Sequence, residues 1–374
     1  MPVVAALAAI ALIIFVFLDV FETVILPRRV SRRFRITRII YMLTWSPVRS
    51  ISNHMRDSGR RESFLAVYGP ISLLLLLFAW TISLIFSYGV LFWALGMPMV
   101  TPEKHPAFGA ALYVSGTTFF TLGLGDITPI TPLARLLIVM EGGSGFAMIA
   151  LVIGYLPILY QSFSRREVNI SMLDARAGSP PTAIELLRRH HKEDSNTLSV
   201  LLADWEHWSA ELLESHLSYP ALAYFRSQHE HQSWLAAITM ILDSCALIMV
   251  GIDGVPKHQA QLTFAMARHA VVDLSQALAA PPREMDGDRH ESSDPTRLRA
   301  LLADIHITLA TGHDADKHLI ELRHMYEPYV AALADRLLLT LPPWSAPTQV
   351  KDDWQTSIWE HDADHRNSAV VSRS

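Results

Sequence analysis

Between positions 121 and 126 the chain reads Thr-Leu-Gly-Leu-Gly-Asp, with glycines at alternate positions, Gly123 and Gly125. Glycine takes positive φ at no steric cost, so successive carbonyls of this stretch can be turned toward one line. A ring of such carbonyls from several chains replaces the hydration shell of a cation, and the Thr121 hydroxyl can add the innermost oxygens. The chemistry on offer is coordination and passage of an ion. Among the other side chains no nucleophile, metal or acid–base constellation stands out, so no enzymatic activity and no cofactor beyond a permeant ion are expected. Alone, Gly-Leu-Gly-Asp would read as a glycine-rich turn; the flanking elements decide otherwise.

Residues 106–119 are mostly small or apolar after Pro106, a residue suited to the first turn of a helix. They make a helix about half as long as the roughly 20 residues a bilayer core demands, so this segment must enter and stop. Its dipole would place a negative end toward a mid-membrane cation. Non-helical backbone at that depth is tolerated only where it lines a water path or is buried in protein. Three long apolar runs, residues 2–26, 66–96 and 133–163, read as spanning helices, two of them flanking the segment. The first lacks a basic residue ahead of its apolar run and is longer than a typical leader, so it is expected to remain as a span.

The chain has 374 residues, 51% hydrophobic and 18% charged, which points to membrane spans. The formal net charge of −5 and the confinement of basic residues to one segment exclude a nucleic-acid footprint. One cysteine, Cys245, permits no internal disulfide and no cysteine-rich metal site. Arg28, Arg29, Arg32, Arg33, Arg35, Arg38, Arg49, Arg56, Arg60 and Arg61 lie between the first two spans, whereas residues 97–132 hold only Lys104 and Arg165 and Arg166 follow the third span. The positive-inside rule then puts the arginine-rich segment and everything after residue 164 in the cytosol, with the N-terminus outside. Arg29, Arg32, Arg35 and Arg38 recur every third residue, the spacing of a voltage-sensing helix. Making that segment a span would invert the two that follow, so an interfacial helix held by anionic lipid headgroups is the preferred reading. Asp19 and Glu22 share a face near the cytosolic end of the first span and are expected to pair with these arginines.

From ALYVSGTTFF through TLGLGD and Arg135 into the third span, the sequence resembles the pore-loop potassium channel superfamily, the small two-helix bacterial channels above all. That resemblance implies a homotetramer in a bacterial cytoplasmic (inner) membrane, with potassium held at Thr121, Leu122, Gly123, Leu124 and Gly125 and filter support from Asp126, Thr118 and Tyr113. The family pattern is T-V-G-Y-G-D; here Leu122 and Leu124 replace the valine and the aromatic residue. Tyr113 and Val114 stand where the family carries a tryptophan pair. Leu124 has no hydroxyl to contribute, while Tyr113 can reach toward Asp126, and Phe119 and Phe120 can substitute packing for polar bracing. A weakly selective cation pore, or a membrane-anchored sensor with a non-conducting pore-like domain, are the alternatives.

Within the third span, Glu141 can either brace the back of the filter or charge a cavity wall. Gly145 falls at the family's inner-helix hinge position, and a close-packing role is the other reading. Ile149, Val152, Ile153 and Leu156 are the expected gate lining, and Pro157 removes a helix hydrogen bond near the cytosolic end.

Residues 165–341 read as a cytosolic helical domain. Ser179 before Pro180 suggests a helix start, and Leu198, Leu201, Leu202, Trp205, Trp208, Leu212 and Leu213 recur at helical spacing. Similar patterns follow at 232–252, 258–279, 296–310 and 319–341. Asp243 in the middle of the 232–252 run argues for a buried bundle helix over a further span. Fifteen of 17 histidines lie after residue 189, including His190, His191, His229 and His231; without a ligand-spaced partner set they read as solvated. No dinucleotide fingerprint is present, so any cytosolic regulator is of unknown kind. The expected architecture is an all-α membrane protein. It comprises an N-terminal transmembrane helix (1–26), a basic interfacial segment (27–64), a pore domain of span, pore helix, filter and span (65–164), the cytosolic bundle (165–341) and a disordered tail (342–374).

Overall fold

The computed structural model describes residues 1–26, 34–100, 108–190, 195–228, 232–252, 255, 257–284, 289, 294–345 and 353–355. Pro106, Lys104, Arg28, Arg29, Arg32, Arg33, His191, His229 and His231 therefore lie outside the described residues. The chain divides into two compact units, Met1–Gln161 and Ser162–Ser374. Four described helices are long and apolar enough to cross a membrane: the segments Pro2–Ile25, Gly59–Ala94, Pro132–Ala177 and Trp234–Gly251.

The first unit opens with α1 (Pro2–Val20). Its apolar residues run all round the helix, yet only one stripe is covered: Ala6, Ala9, Val16 and Val20 are buried, while Val3, Val4, Leu7, Ile14 and Leu18 are exposed. Spacings of three and four keep the buried stripe on one face. That face meets Leu76, Trp80 and Leu84 of α3 (Ser58–Ala94), together with Phe119 and Met148. An uncovered apolar face on such a helix suits a lipid surrounding.

A buried carboxylate fixes the register. Asp19, fully buried, accepts hydrogen bonds from Trp80 Nε1 at 2.8 Å, Thr37 Oγ1 at 2.8 Å and the Thr37 amide at 3.1 Å. Arg35 Nε lies 3.5 Å from Asp19 and 3.7 Å from Glu22, so the acidic pair does meet the arginine segment. A π-helical turn over Phe21–Ile25 ends the first span. Arg35 itself is extended, with φ −143° and ψ 138°, at the start of α2 (Ile36–His54). Arg35 and Arg38 consequently do not continue one helical stripe, and the three-residue periodicity is not a charged ladder there. α2 lies on α3 through Trp45, whose ring centroid is 4.8 Å from that of Tyr68.

α4 (Phe108–Phe119) is the half-length helix. The short strands β1 (Met99–Val100) and β2 (Thr128–Pro129) pair antiparallel, Met99 opposite Pro129 and Val100 opposite Thr128, closing the loop on either side of α4. α5 begins at Pro132 and runs to Ala177, 46 residues, with Pro157 inside it. The expected span at 133–163 is therefore part of a much longer helix, because nothing after Phe163 breaks the pattern until Gly178.

In the second unit α6 (Ala183–His190) starts after Thr182, whose hydroxyl accepts from the Glu185 amide at 3.3 Å. The start expected at Ser179 is thus corrected: the Ser179 hydroxyl bonds Asp174 instead, at 2.5 Å. α7 (Ser195–Ser218) buries Leu198, Leu201, Leu202, Trp205, Trp208, Leu212 and Leu213, and its two tryptophan rings meet edge to face at 4.7 Å. α8 (Trp234–Gly251) is 89% buried across its apolar window, against 28, 44 and 17% for the other three candidate spans. Protein, not lipid, is its solvent. α9 (Lys257–Ala277) follows, then α10 (Pro295–Asp304). The helix expected over 296–310 stops at 304 because Leu309 forms a β-bridge with Ile252. The run 319–341 is two helices, α11 (His313–His324) and α12 (Glu327–Leu337), parted at Met325 and Tyr326.

Asp243, midway along α8, is fully buried and meets Arg289 at 2.6 Å and the Tyr326 hydroxyl. The Arg289 guanidinium also donates to the Pro342 carbonyl and stacks 5.4 Å from the centre of the Trp344 ring. Trp344 is completely buried, so Pro342 and Trp344 belong to this core and not to a disordered tail. Two basic residues of this unit also sit differently from their sequence reading. Arg166 is buried, donating to the Leu222 and Phe225 carbonyls at 3.0 and 2.9 Å and to Glu167 at 2.9 Å, with His216 Nε2 3.2 Å away. His216 is not solvated: burial, and then the Arg166 guanidinium, hold it well below the usual imidazole range.

Candidate ion-coordination site

α4 ends by handing its last carbonyls to the segment that follows. The Thr121 amide donates to the Thr118 carbonyl at 2.9 Å and the Leu122 amide to the Thr117 carbonyl at 2.8 Å, so α4 and the segment after it share one frame. Beyond them the backbone alternates: Thr121, Gly123 and Gly125 have φ of 57°, 55° and 77°. Two of these are glycines, as the residue types require. Thr121 is a β-branched residue in the left-handed region, an uncommon and strained state. The sequence carried no signal for it.

Residues 121–126 are all exposed. Leu122 and Leu124 are 61 and 62% exposed, and among the described residues no carbonyl of 121–125 accepts a hydrogen bond. Exposed and unengaged, this row of carbonyl oxygens is open to an external ligand that wants several of them. At its far end, the Tyr113 hydroxyl donates to Asp126 Oδ2 at 2.9 Å and the Ile127 amide to Asp126 Oδ1 at 3.1 Å. Behind its near end, the Phe119 ring is buried and meets Phe120 edge to face at 5.8 Å.

α5 presents two faces to this site. On the covered face lie Glu141, Gly145 and Met148. Glu141 is fully buried and bonded through Oε1 to the Ser115 hydroxyl of α4; it stands behind α4 and not on an open wall. Gly145 packs so closely on the end of α4 that a Cβ there would overlap the Phe119 carbonyl oxygen and lie 2.8 Å from its carbon. Gly142 faces Thr118, with 3.8 Å from its would-be Cβ to Thr118 Cγ2. On its uncovered side Ile149, Ile153 and Pro157 are exposed, while Val152 and Leu156, half-buried, continue the row of the covered residues at helical spacing. Ser115, Tyr88 and Ser144 were not singled out in sequence, although Ser115 and Ser144 are small hydroxyl residues in apolar helices. The demand of a buried Glu141 for a partner is the signal that could have found Ser115.

Residues 71–162 match the family model described as ion channel. An uncharacterized membrane protein of Bacillus subtilis (strain 168), YdjJ, is 28% identical over 221 residues, which cover 58% of this chain and 62% of that relative. The chain thus spans less than two thirds of the relative's length. No solved structure matches the chain.

Proposed function

From the similarity of residues 71–162 to the ion channel family model, we propose that this membrane protein is one subunit of a potassium-selective pore-loop channel, assembled as a homotetramer. The observation that carries the reading is the alternation of left-handed residues at 121, 123 and 125 directly after a 12-residue helix. One such strand per chain forms a quarter of a closed ring, and four chains surround each potassium ion with carbonyl oxygens in place of water. Thr121 supplies the inner oxygens and Leu122, Gly123, Leu124 and Gly125 the rest. Asp126, tied to Tyr113, shapes the outer mouth, and Ile149, Ile153 and Leu156 line the gate with Val152. The three spans cross a bacterial inner membrane with the N-terminus outside, and the arginine-rich segment from Arg28 to Arg61 rests on anionic headgroups. The second unit lies in the cytosol, where it serves assembly or regulation.

Bi-ionic reversal potentials across a planar bilayer, potassium on one side and sodium on the other, test the selectivity. A shift of about 58 mV for each tenfold of preference, toward the potassium potential and by at least that much, is the expected result. A reversal near zero with robust current would make the pore weakly selective, which Leu124 in place of a hydroxyl-bearing aromatic would then explain.

A further inference from the structure

We infer that Glu141 is a positioning residue for the filter: through Ser115 it fixes the pore helix α4 against α5 and α3, and so sets where the carbonyls of 121–125 stand. Three helices converge on one polar node. The Ser115 hydroxyl of α4 lies against Glu141 Oε1 of α5 and 2.7 Å from the Ile85 carbonyl of α3. One turn along, Tyr88 of α3 and Ser144 of α5 join hydroxyl to hydroxyl at 3.0 Å. Glu141 Oε2 has no hydrogen-bond partner among the described residues, so Ser115 is the tether through which this carboxyl is held.

The node matters to the filter because α4 carries it as a rigid arm. Ser115 precedes by two and three residues the carbonyls of Thr117 and Thr118 that receive the filter's first amides. At the outer end the Tyr113–Asp126 bond is exposed, where water competes and the net worth of a hydrogen bond is small. The side chains of Leu122 and Leu124 cannot brace the strand by hydrogen bonding. The buried node is the polar restraint that water does not reach.

Proton accounting sharpens the assignment. A serine hydroxyl owns one proton, yet Ser115 faces two acceptor oxygens, the Ile85 carbonyl and Glu141 Oε1. Both contacts are complete only when the carboxyl supplies the second proton. Glutamine offers an N–H at the same reach and can replace it, whereas leucine cannot.

The effect on selectivity rests on the reading of 121–125 as a filter; the effect on local order does not. The full-length chain in lipid nanodiscs is therefore followed by hydrogen–deuterium exchange over peptides covering 120–126, with flux measured in parallel. Ser115→Ala and Glu141→Leu are expected to speed exchange there by roughly tenfold and to lower the potassium-to-sodium permeability ratio by a comparable factor, leaving α1 unchanged. Glu141→Gln is expected to keep both near the wild type. Unchanged exchange in Ser115→Ala overturns the proposal even where Glu141→Leu does not assemble, and a glutamine variant as disturbed as the leucine one overturns the proton assignment. Faster exchange in a protein whose wild type passes no ions upholds the positioning role and counts against the channel.

Discussion

Gly145→Ala is expected to abolish ion flux and to lower the stability of the protein by about 1–3 kcal/mol, the usual range for forcing a methyl into a filled contact. Gly143→Ala, two residues earlier, is expected to leave flux unchanged and to cost no stability, raising it by up to about 1 kcal/mol. The contrast follows from what a Cβ would meet. At Gly145 it overlaps the Phe119 carbonyl oxygen and lies 2.8 Å from the carbonyl carbon, whereas at Gly143 nothing lies within 4 Å. The obstacle at Gly145 is backbone at the last residue of α4, so no rotamer change relieves it; α5 must back away from the end of α4. Since that end supplies the carbonyls that hold Thr121 and Leu122, the displacement reaches residues 121–125, the proposed filter, directly. A hinge would behave differently: alanine favours helix over glycine by up to about 1 kcal/mol, so the variant would be well folded, stable and altered only in gating. Thermal unfolding of the purified protein beside flux in liposomes separates the two roles that the sequence allows for Gly145.

Arg289→Leu is expected to be the most damaging single change in the second unit, by about 3–5 kcal/mol near pH 7.5, because it strands a buried carboxylate without its counter-charge. Burial pushes the Asp243 carboxyl up to about 6, with the Arg289 guanidinium and then the hydrogen bonds from Arg289 and Tyr326 pulling it back. A carboxyl whose folded pKa lies above its unfolded value contributes stability below the unfolded value and loses it as pH rises through the folded one. Removing Arg289 takes away the pull and moves the folded value higher still. The deficit of the variant relative to the wild type should thus shrink between pH 7.5 and pH 5, as the carboxyl takes up its proton. Asp243→Asn in the Arg289→Leu background should recover part of the loss at pH 7.5. A deficit that is equal at both pH values would mean that Asp243 does not titrate in this range and that packing of Arg289 on Trp344, not charge, is what the variant removes.

How much of this was legible in the residues depends on the range of the interaction. Gly123, Gly125 and the half-length apolar helix declared themselves because glycine conformation and helix length are local properties. The long apolar runs marked α1, α3 and α5 for the same reason, and Asp243 correctly argued that α8 is a core helix, although only its meeting with Arg289, 46 residues away, says why the charge is tolerated. Partnerships across the fold were not legible: Trp80 reaching Asp19 over 61 residues, or Ser115 reaching Glu141. Thr121 gave no hint of its left-handed φ, since a β-branched residue argues against that region. The helix ends at 304 and 324 were missed because Leu309 and Tyr326 carry apolar periodicity onward while bonding elsewhere, Leu309 in a bridge with Ile252 and Tyr326 to Asp243. Arg166 illustrates the opposite error. A positive charge just past a span reads as a topology signal, yet this one is buried among carbonyls of its own unit, leaving Arg165 as the exposed charge.

The central claim is that ions pass along the backbone of residues 121–125, and potassium flux into liposomes with wild type and Gly123→Asp tests it most directly. Gly123 sits at φ 55°, and a side chain there brings both left-handed strain and a carboxylate into the ring of carbonyls. Rapid potassium uptake by the wild type that sodium does not support, and that Gly123→Asp abolishes while the protein still assembles, is the predicted result. Flux of equal size in both proteins would contradict the account and remove residues 121–125 from the conduction path.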